Sequence, residues 1–99
     1  MGKYQLTNKA LEDLTAIWHY TTEKWSEKQA DKYYELLIDH CRQIADNPGI
    51  GKNYEGVIDN LLGLKVNRHI IFYRITPERI IEITRILHGR MDLKNRSRE

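Results

Sequence analysis

Polar and apolar residues alternate with two different periods along this chain, and the change of period divides it into a helical half and a strand half. After a short alternating run, Tyr4-Gln5-Leu6-Thr7, the residues Ala10, Leu14, Ile17, Trp18, Thr21 and Trp25 recur at spacings of three and four with one adjacent pair. That is the stripe of an amphipathic helix, with Lys9, Glu12, Asp13, Glu23 and Lys24 on its other faces. Thr7 suits the N-cap, because its hydroxyl can accept from an otherwise orphaned amide of the first turn. Ser26-Glu27-Lys28-Gln29 then reads as a capping box, with Trp25 and Ala30 placed as a hydrophobic staple. The second stripe is Ala30, Tyr33, Tyr34, Leu37, Cys41, Ile44 and Ala45, and Asn47-Pro48-Gly49 stops it because proline cannot continue the helical hydrogen bonds. Two helices joined by so little chain predict an antiparallel hairpin over residues 8–47.

From Ile50 to Asn60 the sequence is polar and contains glycine, which predicts an irregular connection. Three strand-like runs follow: Leu61–Val66, His69–Ile75 and Arg79–Leu87. Asn67-Arg68 is short enough for a tight hairpin turn, although arginine suits positive φ poorly. Thr76-Pro77-Glu78 predicts the next turn, with Pro77 supplying its fixed φ. The last run mixes alternation with apolar pairs, as a strand covered on both faces would. The expected fold is α+β: an N-terminal strand and an antiparallel two-helix hairpin packed on an antiparallel sheet, in one domain spanning residues 1–99.

Composition narrows the function without naming it. The 99 residues are 40% hydrophobic and 30% charged, as in an ordinary globular protein, and allow a single core. No apolar run approaches the ~20 residues of a membrane span. Met1-Gly2-Lys3-Tyr4-Gln5 carries no secretory pattern, and the single cysteine, Cys41, excludes an internal disulfide, so a reducing cytoplasm is expected. The net charge of +2 is uneven: residues 1–48 carry six Lys/Arg against eight Asp/Glu, whereas residues 79–99 carry six against three. A basic end on an acidic helical half fits either an anionic partner at that end or, for Lys94 to Glu99, a solubilising tail.

Candidate chemistry is sparse. His19, His40, His69 and His88 form no i, i+3 or i+4 pair, so neither a metal nor another cofactor is expected. Cys41 lies on an apolar stripe and reads as core rather than nucleophile. Trp18, Trp25, Tyr33 and Tyr34 fit a helix–helix and helix–sheet core, with one or two left to grip a partner. Lys65, Arg68, Arg74, Arg85, His88 and Arg90 sit on or beside strands. With Tyr73 they contain the base, acid and cations of a nuclease, and equally the solvated charges of a sheet face.

Several short motifs, in order, resemble the ParE-type toxins of the RelE/ParE superfamily along nearly the whole chain. They are Leu6-Thr7, Ala10, Asp13-Leu14, Ile17, Tyr20-Thr21, Trp25, Gln29 and Tyr33 across the helices, then Asn47-Pro48 and Gly51-Lys52. His69-Ile70-Ile71-Phe72-Tyr73-Arg74 and Arg85-Ile86-Leu87-His88-Gly89-Arg90-Met91-Asp92 complete the set. Ser26 departs from the glycine of many relatives. The resemblance implies a RelE-like fold and a cytoplasmic toxin that traps DNA gyrase without catalysing a reaction itself. It also implies a ParD-like antitoxin that wraps the toxin and meets operator DNA on its behalf. RelE-branch relatives instead cut mRNA on the ribosome with basic residues and a C-terminal tyrosine or histidine; here no tyrosine follows Tyr73, whereas His88 is present. The residues expected to carry toxicity are His88, Arg90, Met91 and Asp92, with Arg85 and Arg74 in support. Leu14, Trp18, Tyr33 and Tyr34 are expected under the antitoxin.

Overall fold

A computed structural model describes residues 2–54 and 61–89. The elements follow in the order β1 (Tyr4–Leu6), α1 (Asn8–Lys24), α2 (Glu27–Asp46), a 3-10 turn (Pro48–Ile50), β2 (Lys52–Asn53), β3 (Leu62–Val66), β4 (His69–Ile75) and β5 (Ile81–His88). The sheet order is β1-β5-β4-β3-β2. Strands β2 to β5 pair antiparallel, and β1 joins β5 in parallel, with Tyr4 opposite Ile81 and Leu6 opposite Ile83.

Both helix starts are capped as the sequence predicts. Thr7 Oγ1 accepts from Ala10 N at 3.1 Å and donates to the Thr84 carbonyl at 2.8 Å, so one hydroxyl caps α1 and ties it to β5. Ser26 Oγ accepts from Gln29 N at 3.0 Å. Trp25 does not serve as a packed staple: it stays 76% exposed, whereas Ala30 is buried. Against the expected hairpin core, the helices give Ala10, Leu14, Leu37, Cys41, Ile44 and Ala45, which meet Ile71, Tyr73, Ile81, Ile83 and Ile86 of the sheet. A smaller cluster of Leu61, Ile70, Phe72 and Leu87, with Tyr54 against it, lies apart from the helical one.

The irregular apolar pattern of the last strand has a cause in its register. Phe72 pairs with Arg85 but Tyr73 pairs with Ile83, so Thr84 is an extra residue in β5. Such a bulge resets the alternation. Ile81, Ile83 and Ile86 therefore all reach the helix-side core despite the three-residue step, while Leu87 joins the smaller cluster.

Two details differ from the sequence expectation. The connection after α2 contains strand β2, whose pairing partners are Gly63 and Leu62. The residues are polar because a two-residue edge strand lies exposed on the rim. In addition β5 begins at Ile81 rather than Arg79, because Arg79 takes a left-handed conformation at φ 64° and closes a turn onto Thr76. Asn67, a residue that tolerates this region, holds the left-handed position of the β3–β4 turn at φ 54°.

Candidate functional site

The end of the sheet where β5 finishes gathers three of the side chains that stand apart in sequence. His69 opens β4 and His88 closes β5, and the register places them directly opposite each other. Their rings meet edge to face with centroids 5.4 Å apart. From α2, the Tyr33 hydroxyl reaches His69 Nδ1 at 2.6 Å and the Val66 carbonyl at 3.4 Å. Burial pushes the Tyr33 phenol up, with Arg68 nearby working in the opposite direction. Burial, helped by the neighbouring His88, pushes His69 down to about 4, so its imidazole is neutral near pH 7. Gly89 N donates to the Arg68 carbonyl at 2.9 Å, which carries the pairing of these strands one residue further. Arg90, Met91 and Asp92 lie outside the described residues.

Neither supporting arginine joins His88. Arg74 stands opposite Glu82 and pairs with it at 2.6 Å, whereas His69 stands opposite His88. Five steps along β4 separate the two positions, roughly 17 Å along a strand. Arg85 is turned mostly inward. Its Nε and NH2 reach the two Asp13 carboxylate oxygens at 2.8 and 2.9 Å, and its side chain is only 11% exposed. Asp13 also accepts from Ile86 N at 2.9 Å. Asp13 therefore leaves the solvated helix face expected of it and fastens α1 to β5, just past the bulge, where β1 has ended.

The aromatic expectations divide. Leu14 is a core residue, 1% exposed against the sheet, because its stripe position faces β5 directly; it cannot form part of a surface. Tyr34 is half-buried against that core, and Tyr33 is occupied with His69. Trp18 is half-buried and donates from Nε1 to Asp31 at 2.9 Å, bridging the two helices. A surface emerges instead on the outer side of α1. Leu11, Trp18 and Trp25 stand seven residues apart, Leu11 being 50% and Trp25 76% exposed. Between them, Thr15 and Thr22 donate their hydroxyls to the Leu11 and Trp18 carbonyls. With those donors satisfied, the methyl groups add to an apolar stripe running the length of the helix. A shallow depression lined by Leu11, Thr15, Ala16 and His19 lies beside it.

No three or more His, Cys, Asp or Glu gather as a metal cluster among the described residues. No described helix is long and apolar enough to cross a membrane. The model of the family described as ParE toxin of the type II toxin–antitoxin system parDE matches residues 4–93. The chain belongs to the ParE toxin family. It is 34% identical over 92 residues to Toxin ParE1 of Mycobacterium tuberculosis, covering 93% of this chain and 94% of that one. With Toxin ParE1 of Caulobacter vibrioides it shares 32% over 94 residues, 95% of this chain and 96% of that one. The fold is that of a solved chromosomal ParDE system from P. aeruginosa, at a TM-score of 0.78 and 19% identity over 89% of this chain and 96% of that one. It is also that of a toxin–antitoxin complex, RelBE2 of Mycobacterium tuberculosis, at a TM-score of 0.68 and 16% identity over 88% of this chain and 96% of that one. Within this ParE scaffold, the exposed α1 stripe and the His88 end of the sheet are two features, among the described residues, that lie outside the core.

Proposed function

We propose that this ParE-family toxin acts in the cytoplasm by binding DNA gyrase, and that a ParD-like antitoxin neutralises it and links it indirectly to operator DNA. The observation that carries the reading is the family match over residues 4–93, which runs through β5 and the basic residues after it. A protein-binding inhibitor needs a rigidly displayed surface rather than a catalytic pocket; in this reading that surface begins at His88, which Arg90, Met91 and Asp92 follow in sequence. Supercoiling by purified gyrase and translation in a ribosomal extract separate the mechanisms. The toxin is expected to block supercoiling and leave the mRNA intact. Cleaved mRNA with normal supercoiling would refute gyrase inhibition. That outcome would favour a ribosome-dependent ribonuclease, for which the adjacency of Tyr33, His69 and His88 supplies acid–base groups. His88→Ala and Arg90→Ala are expected to weaken toxicity while antitoxin binding persists.

For the antitoxin, the α1 stripe fits an amphipathic helix laid with its apolar face on Leu11, Trp18 and Trp25. Exposed tryptophans are the commonest anchors of such contacts, worth about 2 kcal/mol or more each. Trp25→Ala should therefore weaken antitoxin binding roughly thirtyfold without unfolding the toxin, since the ring packs on little of it. An unchanged Kd would remove the stripe from the interface.

A further inference from the structure

We propose that His69 and His88 form a two-imidazole binding site for a borderline divalent transition-metal ion such as zinc, nickel or copper, with water completing the coordination. The four histidines show no metal-ligand spacing in the sequence, but the sheet creates a pair that sequence spacing cannot display. His69 lies two residues before Ile71, and His88 two residues after Ile86; both reference residues point into the helix-side core. The two imidazoles therefore project from one face at directly opposed positions, where Cβ atoms are about 5 Å apart.

The ring spacing fits a shared ion. A metal–nitrogen bond of ~2.0 Å plus the ~1.1 Å from nitrogen to ring centre puts two imidazoles on a tetrahedral ion roughly 5 Å apart, centre to centre. The observed separation is 5.4 Å. The ring planes stand 77° apart and would turn toward a common point on coordination.

Tyr33 supplies what a ligating histidine ordinarily has, a hydrogen-bond partner on its other nitrogen that sets the tautomer. Its hydroxyl stands 2.6 Å from His69 Nδ1 and 3.4 Å from the Val66 carbonyl. With the hydroxyl accepting from Nδ1–H and turning its own proton toward Val66, the lone pair of His69 falls on Nε2. Burial keeps that ring neutral at physiological pH, the state in which imidazole coordinates. His88 supplies the second imidazole of the pair. A nitrogen pair with open positions suits zinc, nickel and copper, and copper(II) should bind most tightly.

The test uses the untagged full chain after treatment with chelator. Calorimetric titration with Zn2+ and with Cu2+ should show one equivalent bound. His69→Gln and His88→Gln should each abolish that site, while His19→Gln and His40→Gln leave it intact. Tyr33→Phe keeps both ligands and should weaken binding ten- to a hundredfold. Should the histidine variants fold poorly, the wild-type protein still decides: substoichiometric Cu2+ must broaden the imidazole proton signals of His69 and His88 before those of His19 and His40. Equal affinity in the wild type and the His69→Gln/His88→Gln double variant overturns the site, as does broadening that begins at His19 or His40. Because metal binding is read on the isolated toxin, it stands or falls independently of gyrase inhibition.

Discussion

Replacing Asp13 by alanine should unfold this toxin more readily than removing most larger side chains. The carboxylate accepts three N–H groups: Arg85 Nε at 2.8 Å, Arg85 NH2 at 2.9 Å and Ile86 N at 2.9 Å. Asp13 and Arg85 keep only 14% and 11% of their side-chain surface exposed. Truncation takes the Asp13 carboxylate away from a nearly buried guanidinium and removes the acceptor of the Ile86 amide. Breaking a buried pair from one side costs about 3–5 kcal/mol, and the slight residual exposure here argues for the lower end, about 3 kcal/mol. Against a domain stability of roughly 5–15 kcal/mol, that is a large share. A domain of this size loses about 4–8 °C of Tm per kcal/mol, so a fall of roughly 15 °C is expected. Urea denaturation should show the same loss as a lower midpoint with the slope unchanged. The Asp13→Leu/Arg85→Met pair removes both charges and keeps apolar volume, and it should recover much of the loss. A cost for Asp13→Ala below about 1 kcal/mol would refute the reasoning, since that is the range of a solvent-screened surface pair. The same logic says that Arg85→Ala loses toxicity through the fold, with its Tm falling in parallel.

Other outcomes follow from buried groups. Tyr73→Phe should cost about 1–3 kcal/mol in urea denaturation, because the hydroxyl donates to the Pro48 carbonyl at 2.6 Å and accepts from Gly51 N at 3.0 Å. Cys41 is buried and its thiol is pushed up to about 12, so alkylation at pH 8 should be negligible in the native state and prompt in denaturant. In metal-free buffer, His69 binds its proton less readily in the folded chain, near pH 4, than at its ordinary 6.5. The unfolded chain therefore holds more protons between those values, and its share of stability is full above pH 6.5 and declines as pH falls toward 4. His69→Gln should flatten that part of the denaturation-midpoint profile, and an unchanged slope would refute the assignment.

The helices were legible because capping and periodicity are local: Thr7 and Ser26 cap them as their side-chain chemistry requires. The strands β3 and β4 were equally plain, being apolar runs between turns. What the sequence hid depends on register. Strand β2 has no apolar signal because two exposed residues on a rim need none. The parallel union of β1 with β5 joins residues 4 and 81, a pairing that no local pattern encodes. At the candidate site, His88 was found through its motif, while its partners His69 and Tyr33 came together only through strand pairing and helix packing. Arg85 was misplaced because a charged residue on a strand looks solvated until its acidic partner arrives from α1. The exposed stripe had a signal, the seven-residue interval from Leu11 to Trp18 to Trp25, which differs from the buried stripe through Ala10 and Leu14.

The sheet order has a consequence in time. Strand β5 leaves the ribosome after every other described element, yet its place is between β1 and β4. Until it arrives, the helical hairpin and the β3–β4 pair can form from local contacts. Strand β1, made first, has no neighbour to pair with, and one edge of β4 stays bare. The bonds from Thr7 to Thr84 and from Asp13 to Arg85 wait for the same strand. The sheet end at His88 comes into existence in one late step, when β5 takes its place between two strands already made.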